Sequence, residues 1–321
     1  MPMDRRVLLG SVLALSALPL GARAGDFGSY IASLQARAAA AGIPQDIIDQ
    51  TTQGLVPNAD VLRLDKHQPE FTETWATYSS HVLNPTRVAA GRAKAAEDAN
   101  LLAAVTSQFG IASAALLGIW GIETNFGKTQ GNFDVIQALA TLAWDRNSSY
   151  FTGEAVAAMQ IVANGQAPAD RLIGSYAGAM GQPQFMPSVY LSTAVSFAGN
   201  GRPDIWTNDA DSLASMGNYL AKAGWLPGEP SSEPVLAPAD LNLAETGRKH
   251  EHTIGYWLRL GVQRLPGAPS VRQDSPAALL LPDGIGGEAF LLYRNFGVIR
   301  KYNPSDFYAL AVGALGRMAL V

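Results

Sequence analysis

The amino-acid sequence predicts an α+β protein that is mainly α-helical. Apolar and small residues recur with helical spacing over most of residues 27–226. Beyond a Pro- and Ser-rich connector at 226–234, short β-like runs alternate with glycine-containing turns. Of the 321 residues, 48% are hydrophobic and 16% are charged, so the chain can bury a large core and form two or three subdomains.

The predicted elements follow these patterns along the chain. The helices are expected around 27–41, after Pro44, and around 86–108, 111–123, 133–144, 153–163, 187–198, 209–223 and 304–318. The strands are expected at 278–281, 289–293 and 298–302, where β-like runs are bounded by turn residues.

The first 24 residues are typical of an export leader. Arg5 and Arg6 form a basic start, an apolar stretch follows, and residues 22–24 form an A-x-A cleavage site. Asp4 against three arginines gives the leader a charge of +2, so its removal changes the net charge from −4 to −6. This acidic balance argues against nucleic acid as a partner. The chain contains no cysteine, which excludes disulfides, thiolate metal sites and lipid attachment at Cys.

Glu123 is the most informative single residue. It is a lone acid after the apolar and small run 111–122, and Thr-Asn-Phe-Gly follows it. A carboxylate at the end of a buried helix loses solvation and faces the negative end of the helix dipole, and both effects favour its protonated form. A general acid needs such an environment. The alternative is a helix-terminal Glu that turns to water or pairs with an arginine.

Other catalytic motifs are not supported. His250 and His252 lie two residues apart, on different faces of any helix, and do not make a metal pair. The segment 174–178 does not have the spacing of a nucleophile elbow, and 178–181 lacks the Lys of a phosphate loop. Acid catalysis by a carboxylate therefore remains the main enzymatic option.

The loop 175–190 is the second informative segment. It is rich in small residues and ends at Pro187, which suits the first turn of a helix. Ser175 and Gln184 are neutral hydrogen-bonding groups suited to the hydroxyl and amide groups of a sugar. The Met and Phe side chains of this loop can pack on apolar ring faces, although the residues alone favour a core position for them.

Several motifs follow one another in a fixed order along the chain. They are Glu123-Thr-Asn-Phe-Gly127, Ser175-Tyr-Ala-Gly-Ala-Met-Gly181 with Gln184-Phe-Met-Pro187, Gly201-Arg-Pro-Asp-Ile-Trp206, Asn218-Tyr-Leu220, and Asn295-Phe-x-x-Ile299 with Tyr302-Asn303. Together they resemble the lytic murein transglycosylases of the B type, the membrane-bound lytic transglycosylase B family, here in a soluble variant. The resemblance runs from about residue 27 to residue 320. It implies a lysozyme-like fold with a peptidoglycan groove.

The resemblance also implies an activity and its residues. The expected reaction cleaves the β-1,4 bond between N-acetylmuramic acid and N-acetylglucosamine and leaves a 1,6-anhydromuramoyl end. Glu123 matches the single catalytic acid/base. The residues that match glycan contacts are Ser175, Gln184, Tyr219, Tyr302, Asn303 and Tyr308, more loosely Tyr78, and Arg146 as a partner for a muramoyl or peptide carboxylate. Considered without the family, the alternatives are half-buried structural residues for the tyrosines and a solvated loop charge for Arg146.

The same resemblance predicts the organisation of the chain. We expect a cleaved signal peptide at 1–24 and an N-terminal helical region at 25–100 that packs with the C-terminal helix 304–321. A lysozyme-like catalytic core at 101–226 and a small β subdomain at 227–303 complete it. We expect a periplasmic protein, soluble after cleavage and monomeric, that acts on peptidoglycan glycan strands, alone or within a cell-wall enzyme complex.

A single acid distinguishes this activity from hydrolysis. Hydrolases normally need a second carboxylate, but Asp134 and Asp145 are interpreted as helix caps or solvated ends and Glu154 as a first-turn helix acid. In the expected mechanism the 2-acetamido and C6 hydroxyl groups of the substrate replace the second carboxylate. The alternatives are a hydrolytic muramidase and a non-catalytic peptidoglycan-binding scaffold.

No metal or other cofactor is expected. Relatives carry an acidic calcium loop just before the Trp that matches Trp206, whereas this chain has Ser196, Ala198 and Asn200 there. Because such a loop owes its affinity to carboxylates, the calcium loop is degenerate, even with Asp204 following.

Overall fold

The computed structural model describes residues 25–66, 73–199 and 201–321, so the predicted leader lies outside the described residues. The helices in these ranges are α1 (Phe27–Ala40), α2 (Gln45–Thr52), α3 (Ala59–Lys66), α4 (Trp75–Val82), α5 (Pro85–Glu97), α6 (Ala99–Phe109), α7 (Ser113–Thr124), α8 (Val135–Asp145), α9 (Ser149–Ala163), α10 (Pro187–Thr193), α11 (Asp209–Lys222), α12 (Ile254–Arg259), α13 (Arg294–Tyr302) and α14 (Asp306–Ala319). The strands are β1 (Phe133–Asp134), β2 (Ile173–Gly174), β3 (Ser232–Leu236), β4 (Glu251–Thr253), β5 (Gln263–Arg264), β6 (Pro276–Leu280) and β7 (Ala289–Leu292). The prediction of an α+β, mainly α-helical protein is confirmed.

The described residues fall into two compact units. The first unit comprises the described part of Met1–Glu70 together with Glu123–Asn218, and the second the described part of Phe71–Ile122 together with Tyr219–Val321. The four-segment organisation expected from the sequence stays a prediction.

The first unit is built around the packed helices α8 and α9, with α1, α2 and α10 against α9 and α3 against α8. Asp134 accepts a hydrogen bond from the backbone N–H of Gln137 (2.8 Å) and so caps α8, as one of the interpretations from sequence proposed. Strand β1 pairs antiparallel with β2, with Phe133 opposite Gly174. Because β2 ends at Gly174, the predicted sugar-contacting loop begins directly at this small sheet.

The second unit contains an antiparallel sheet of five strands in the order β4-β6-β7-β3-β5. One face of the sheet packs on a core that includes Ile254, Trp257, Leu279 and Leu291, which are all fully buried. Helix α14 packs against α4, α5 and α13 in the same unit. The five-stranded sheet thus has its own apolar core.

Helices α7 and α14 approach unusually closely through glycines. A Cβ atom added at Gly118 of α7 would overlap the backbone carbonyl of Val312 in α14. A Cβ atom added at Gly316 of α14 would likewise overlap the backbone carbonyl of Ala114 in α7. Only glycine permits two helix backbones to lie this close. The contact lies in the part of α7 that belongs to the second unit, which precedes Glu123 by only a few residues.

Several predicted elements differ from the structure. The helix predicted at 187–198 ends at Thr193 as α10. The strand predicted at 298–302 is wrong, because these residues complete α13, whose start is held by the Asn295 side chain through bonds to Leu226 N and O (2.8 Å each). The helix predicted at 86–108 is interrupted at Asp98 between α5 and α6. The connector at 226–234 already includes the start of β3.

No single helix in the described ranges is long and apolar enough to cross a membrane; α6 and α7 meet that test only as a pair, across a bend of 114°.

Candidate active site

Glu123 lies on the last turn of α7, one residue before the helix ends at Thr124. Its side chain is only 7% exposed, and the preceding residues Trp120 and Ile122 are 0% and 5% exposed. The environment expected from the sequence, a carboxyl group at the end of a buried helix, is therefore present. The catalytic role of Glu123 stays a prediction.

The chain leaves Glu123 through a left-handed turn. Asn125, Phe126 and Gly127 are consecutive and have φ values of 49°, 59° and 81°. Such a conformation costs a non-glycine residue about 1–2 kcal/mol, and it persists only where surrounding contacts impose it. The Thr124 hydroxyl supplies two of these contacts: it accepts from Gly127 N (3.1 Å) and donates to the backbone oxygen of Gln182 (2.9 Å).

Ser175 and Gln184 lie on the loop that follows β2. The hydroxyl oxygen of Ser175 accepts from Ala179 N (3.1 Å), and it can still donate its proton to a ligand. Gln184 has a left-handed φ of 52°. Its amide nitrogen donates to the backbone oxygens of Gln130 (3.2 Å) and Gly181 (2.9 Å), so a ligand would meet its amide oxygen. Both side chains are partly exposed.

The two loops of the first unit are connected by hydrogen bonds. The side-chain nitrogen of Gln130 donates to the backbone oxygens of Gly127 (3.0 Å) and Trp206 (2.8 Å), while the Gln130 backbone oxygen accepts from Gln184. The structure therefore joins the turn after Glu123 to the loop that carries Ser175 and Gln184.

Two other carboxylates considered from sequence, Glu154 and Asp145, are buried. Glu154 is 5% exposed and accepts from the backbone N–H (2.9 Å) and the hydroxyl (2.7 Å) of Ser188 at the start of α10. The interpretation of Glu154 as a first-turn acid is wrong, since it lies in the second turn of α9 and caps a different helix. Asp145 ends α8 and is 8% exposed, so it is buried and not a solvated helix end.

Arg146 follows the last residue of α8 and forms a two-pronged ion pair with Asp65. Its Nε lies 2.8 Å from one oxygen of Asp65, and Nη2 binds the other. The guanidinium also lies 5.8 Å from the ring centre of Phe151. The interpretation of Arg146 as a solvated loop charge is therefore wrong. A ligand carboxylate would have to share or displace Asp65, and ligand binding by Arg146 stays a prediction.

Backbone hydrogen bonds to two carboxylates hold the loop that precedes Trp206. Asp211 accepts from Phe197 N (2.8 Å) with one oxygen and from Asp204 N (2.9 Å) with the other. Asp204 accepts from the N–H groups of Trp206 and Thr207 (2.9 Å each) and from the Thr207 hydroxyl. Burial opposes ionisation of Asp204, but these hydrogen bonds outweigh it and lower its pKa.

The described residues of this loop offer few of the carboxylates that a calcium site needs. Ser196 and Ala198 offer no carboxylate, and Asn200 lies outside the described residues. Asp204 and Asp211 are directed at backbone N–H groups. Within the described ranges, no cluster of three or more Asp, Glu or His side chains could hold a metal ion. Calcium affinity in such loops depends on several charged oxygen ligands.

The predicted aromatic contacts lie in the second unit. The rings of Tyr219 and Tyr302 meet edge to face with centres 4.8 Å apart. The Tyr219 hydroxyl donates to the backbone oxygen of Lys301 (2.5 Å), and burial raises the pKa of Tyr219. A glycan would therefore meet Tyr219 through its ring or as a donor to its oxygen. Tyr302 ends α13 and is partly exposed.

Three other predicted contacts in this unit are less accessible. Asn303 is 6% exposed and accepts from Ser305 N (3.0 Å). Tyr308, in the first turn of α14, is 1% exposed, so in this conformation its ring belongs to the core. Tyr78 on α4 is half-buried, with its ring centre 5.7 Å from that of Phe307. Glycan contact by these residues stays a prediction, and the burial of Asn303 and Tyr308 disfavours it.

The residues that hold the two loops of the site in place had no such role in the predictions from sequence. Thr124, Gln130 and Gln182 tie the loops together, and Glu154 anchors the helix after Gln184. The available signal was the Asn-Phe-Gly turn after Glu123, since Asn and Gly tolerate left-handed backbone and imply that nearby side chains hold it.

Comparison with known proteins agrees with this architecture. The family description "Transglycosylase SLT domain" matches residues 26–317. The membrane-bound lytic murein transglycosylase B of Escherichia coli (strain K12) is 31% identical over 268 residues, covering 80% of this chain and 73% of that protein. Among solved structures, Pseudomonas aeruginosa SltB3 in complex with NAG-anhNAM-pentapeptide has a TM-score of 0.86 and 38% identity, covering 91% of this chain and 79% of that one.

A further solved structure bears on the metal question. The Escherichia coli lytic transglycosylase Slt35 in complex with calcium has a TM-score of 0.77 and 28% identity, covering 92% of this chain and 95% of that one. These matches confirm the predicted lysozyme-like fold class. The chain therefore belongs to the Transglycosylase SLT domain family, as a lytic murein transglycosylase of the B type.

Proposed function

We propose that this enzyme cleaves the β-1,4 bond between N-acetylmuramic acid and N-acetylglucosamine and forms a 1,6-anhydromuramoyl end, with Glu123 as its single general acid/base. The burial of the Glu123 carboxyl group at the end of an apolar helix carries the proposal. The structural hydrogen bonds of Asp134 and Glu154 support a mechanism with one acid. The related SltB3 was crystallised with an anhydro-sugar peptide, the class of product proposed here.

The proposed reaction has two proton transfers through one residue. Protonated Glu123 donates its proton to the glycosidic oxygen as the bond to C1 of the muramoyl sugar breaks. The 2-acetamido group of the same sugar stabilises the positive C1. The C6 hydroxyl oxygen then attacks C1, and ionised Glu123 accepts the hydroxyl proton, so that the acid is regenerated. Exclusion of water from the groove favours this internal attack over hydrolysis.

Substrate contacts follow from the polar groups that remain available. In the first unit, Ser175 would donate its hydroxyl proton and Gln184 would offer its amide oxygen to sugar hydroxyl or amide groups. In the second unit, Tyr219 and Tyr302 would present aromatic faces to the sugars. The proposed setting is the periplasm, where the mature chain acts as a soluble monomer on glycan strands, alone or with other cell-wall enzymes.

Mass spectrometry of muropeptides tests this proposal. The mature protein, residues 25–321, is incubated with purified peptidoglycan, and the released fragments are weighed. Fragments one water lighter than the corresponding reducing muropeptides are expected. Reducing ends would identify a hydrolytic muramidase, and binding to peptidoglycan without any release would identify a scaffold.

The proposed enzyme does not depend on calcium. Addition of calcium or of a chelator to the purified protein is expected to leave its melting temperature unchanged, because Asp204 and Asp211 already bind backbone N–H groups. Thermal unfolding followed by circular dichroism at increasing calcium concentration checks this, with Escherichia coli Slt35 as the comparison protein. A melting temperature that rises with calcium concentration would contradict the prediction, since a ligand that binds only the folded state stabilises it.

A further inference from the structure

The left-handed turn after Glu123 needs stabilising contacts from residues outside the turn. Its residues Asn125 and Phe126, two and three positions after Glu123, adopt φ values that L-residues avoid. If the turn relaxed, Thr124 at the end of α7 would move, and the Glu123 side chain would move with it. The contacts that hold the turn therefore determine the orientation of the Glu123 carboxyl group.

Gln182 makes contacts at both ends of this turn. At the first end, its backbone oxygen accepts from the Thr124 hydroxyl (2.9 Å). At the other end, its side-chain oxygen lies against Gly127, where it would come within 2.8 Å of an added Cβ atom. Gln182 is 3% exposed. One buried residue thus contacts the turn on either side of its two strained residues.

Gln182 is itself fixed from two directions. Its backbone N–H donates to the Ile205 oxygen (2.8 Å). Its side-chain nitrogen donates to a carboxylate oxygen of Asp209 (2.9 Å), the first residue of α11. The bond to Asp209 sets which way the Gln182 amide faces, and so keeps the amide oxygen toward Gly127.

We infer that Gln182 is a positioning residue that holds the Thr124–Gly127 turn and thereby orients Glu123 for proton transfer. Its side chain does this through the hydrogen bond to Asp209. The consequence for catalysis depends on the proposed function, whereas the consequence for the turn does not. A change in the Gln182 side chain should therefore lower kcat more than it raises KM, because the side chain lies against the turn that follows the acid.

Swapping the side-chain amide of Gln182 and the carboxylate of Asp209 tests this inference. Gln182→Glu places a carboxylate against that of Asp209, which is unfavourable because two like charges then meet in a part-buried site. The double variant Gln182→Glu with Asp209→Asn restores a hydrogen bond with donor and acceptor exchanged. Asp209→Asn alone is the matched control, since its amide oxygen can still accept from Gln182. Gln182→Ala removes the side chain without adding charge and serves where Gln182→Glu does not fold.

Two readouts are measured on every variant that melts cooperatively. Release of anhydromuropeptides gives kcat and KM, and amide hydrogen exchange reports the order of residues 124–127. We expect Gln182→Glu and Gln182→Ala to lower kcat about 10- to 100-fold with KM within about twofold, as for a misplaced catalytic group. Exchange at Gly127 should become faster. The double variant should recover most of the kcat and most of the protection of Gly127 from exchange.

Two outcomes would overturn the inference: unchanged kcat and unchanged exchange in folded Gln182 variants, or a double variant no better than Gln182→Glu. Absence of anhydromuropeptides with the wild-type protein would instead overturn the proposed function. In that case hydrogen exchange alone still decides whether Gln182 holds the turn.

Discussion

Replacement of Glu123 with glutamine is expected to lower the rate of anhydromuropeptide release by at least about 10³-fold. General acid and base catalysis by one residue contributes about 10²–10⁴-fold, and here one residue performs both proton transfers. The amide keeps the shape of the buried side chain but cannot donate a carboxylic proton. Chromatography of muropeptides released over time measures the rate, and sedimentation with intact peptidoglycan measures binding, which should persist.

Glu154→Gln is the matched control for this change. Glu154 is also a buried glutamate of the first unit, but its carboxylate accepts hydrogen bonds from Ser188 at the start of α10. Glu154→Gln should lower the melting temperature and leave most of the rate of anhydromuropeptide release. If Glu123→Gln kept more than about one tenth of the wild-type rate, another group would have to be the acid.

Replacement of Gly118 with alanine is expected to destabilise the folded protein by about 3 kcal/mol or to prevent folding. The added methyl group would overlap the backbone carbonyl of Val312, and neither helix backbone can yield without moving α7 against α14. Overpacking of a tight core commonly costs about 1–3 kcal/mol, and overlap with backbone lies at the upper end of that range. Urea unfolding followed by circular dichroism measures the loss.

Gly153→Ala provides the comparison within the same chain. Gly153 lies inside α9, is exposed, and has no atom within 4 Å of an added Cβ. Since alanine favours helix over glycine by about 0.8–1.0 kcal/mol, this change should raise the free energy of unfolding. Equal effects of the two substitutions would show that α7 and α14 are not packed through Gly118.

The helical part of the fold could be predicted because its signal is local. Long periodic segments such as 111–123 match α7, and Pro187 marks the first residue of α10, as expected. The strand predicted at 298–302 failed because Val298 and Ile299 are β-branched, while the pairing of the Asn295 side chain with Leu226 that starts α13 is not local. Strands as short as β4 and β5 have too few residues to show the alternation of apolar and polar residues that identifies a strand.

The candidate site could be predicted only where its chemistry is local. Glu123 is recognisable because its helix is apolar and the carboxyl group stands alone at its end. The ion pair of Arg146 with Asp65 and the bond from Tyr219 to Lys301 join residues about 80 positions apart, which no window along the sequence reveals. The contacts of Gln182 belong to the same long-range class.

The most direct test of the single-acid mechanism is digestion of peptidoglycan in heavy-oxygen water. Internal attack by the C6 hydroxyl group takes no oxygen from solvent, so the anhydromuropeptides released by the wild-type protein should carry no label. Incorporation of solvent oxygen at the new muramoyl end would contradict the mechanism, because it would mean that water attacks C1, as in a hydrolytic muramidase.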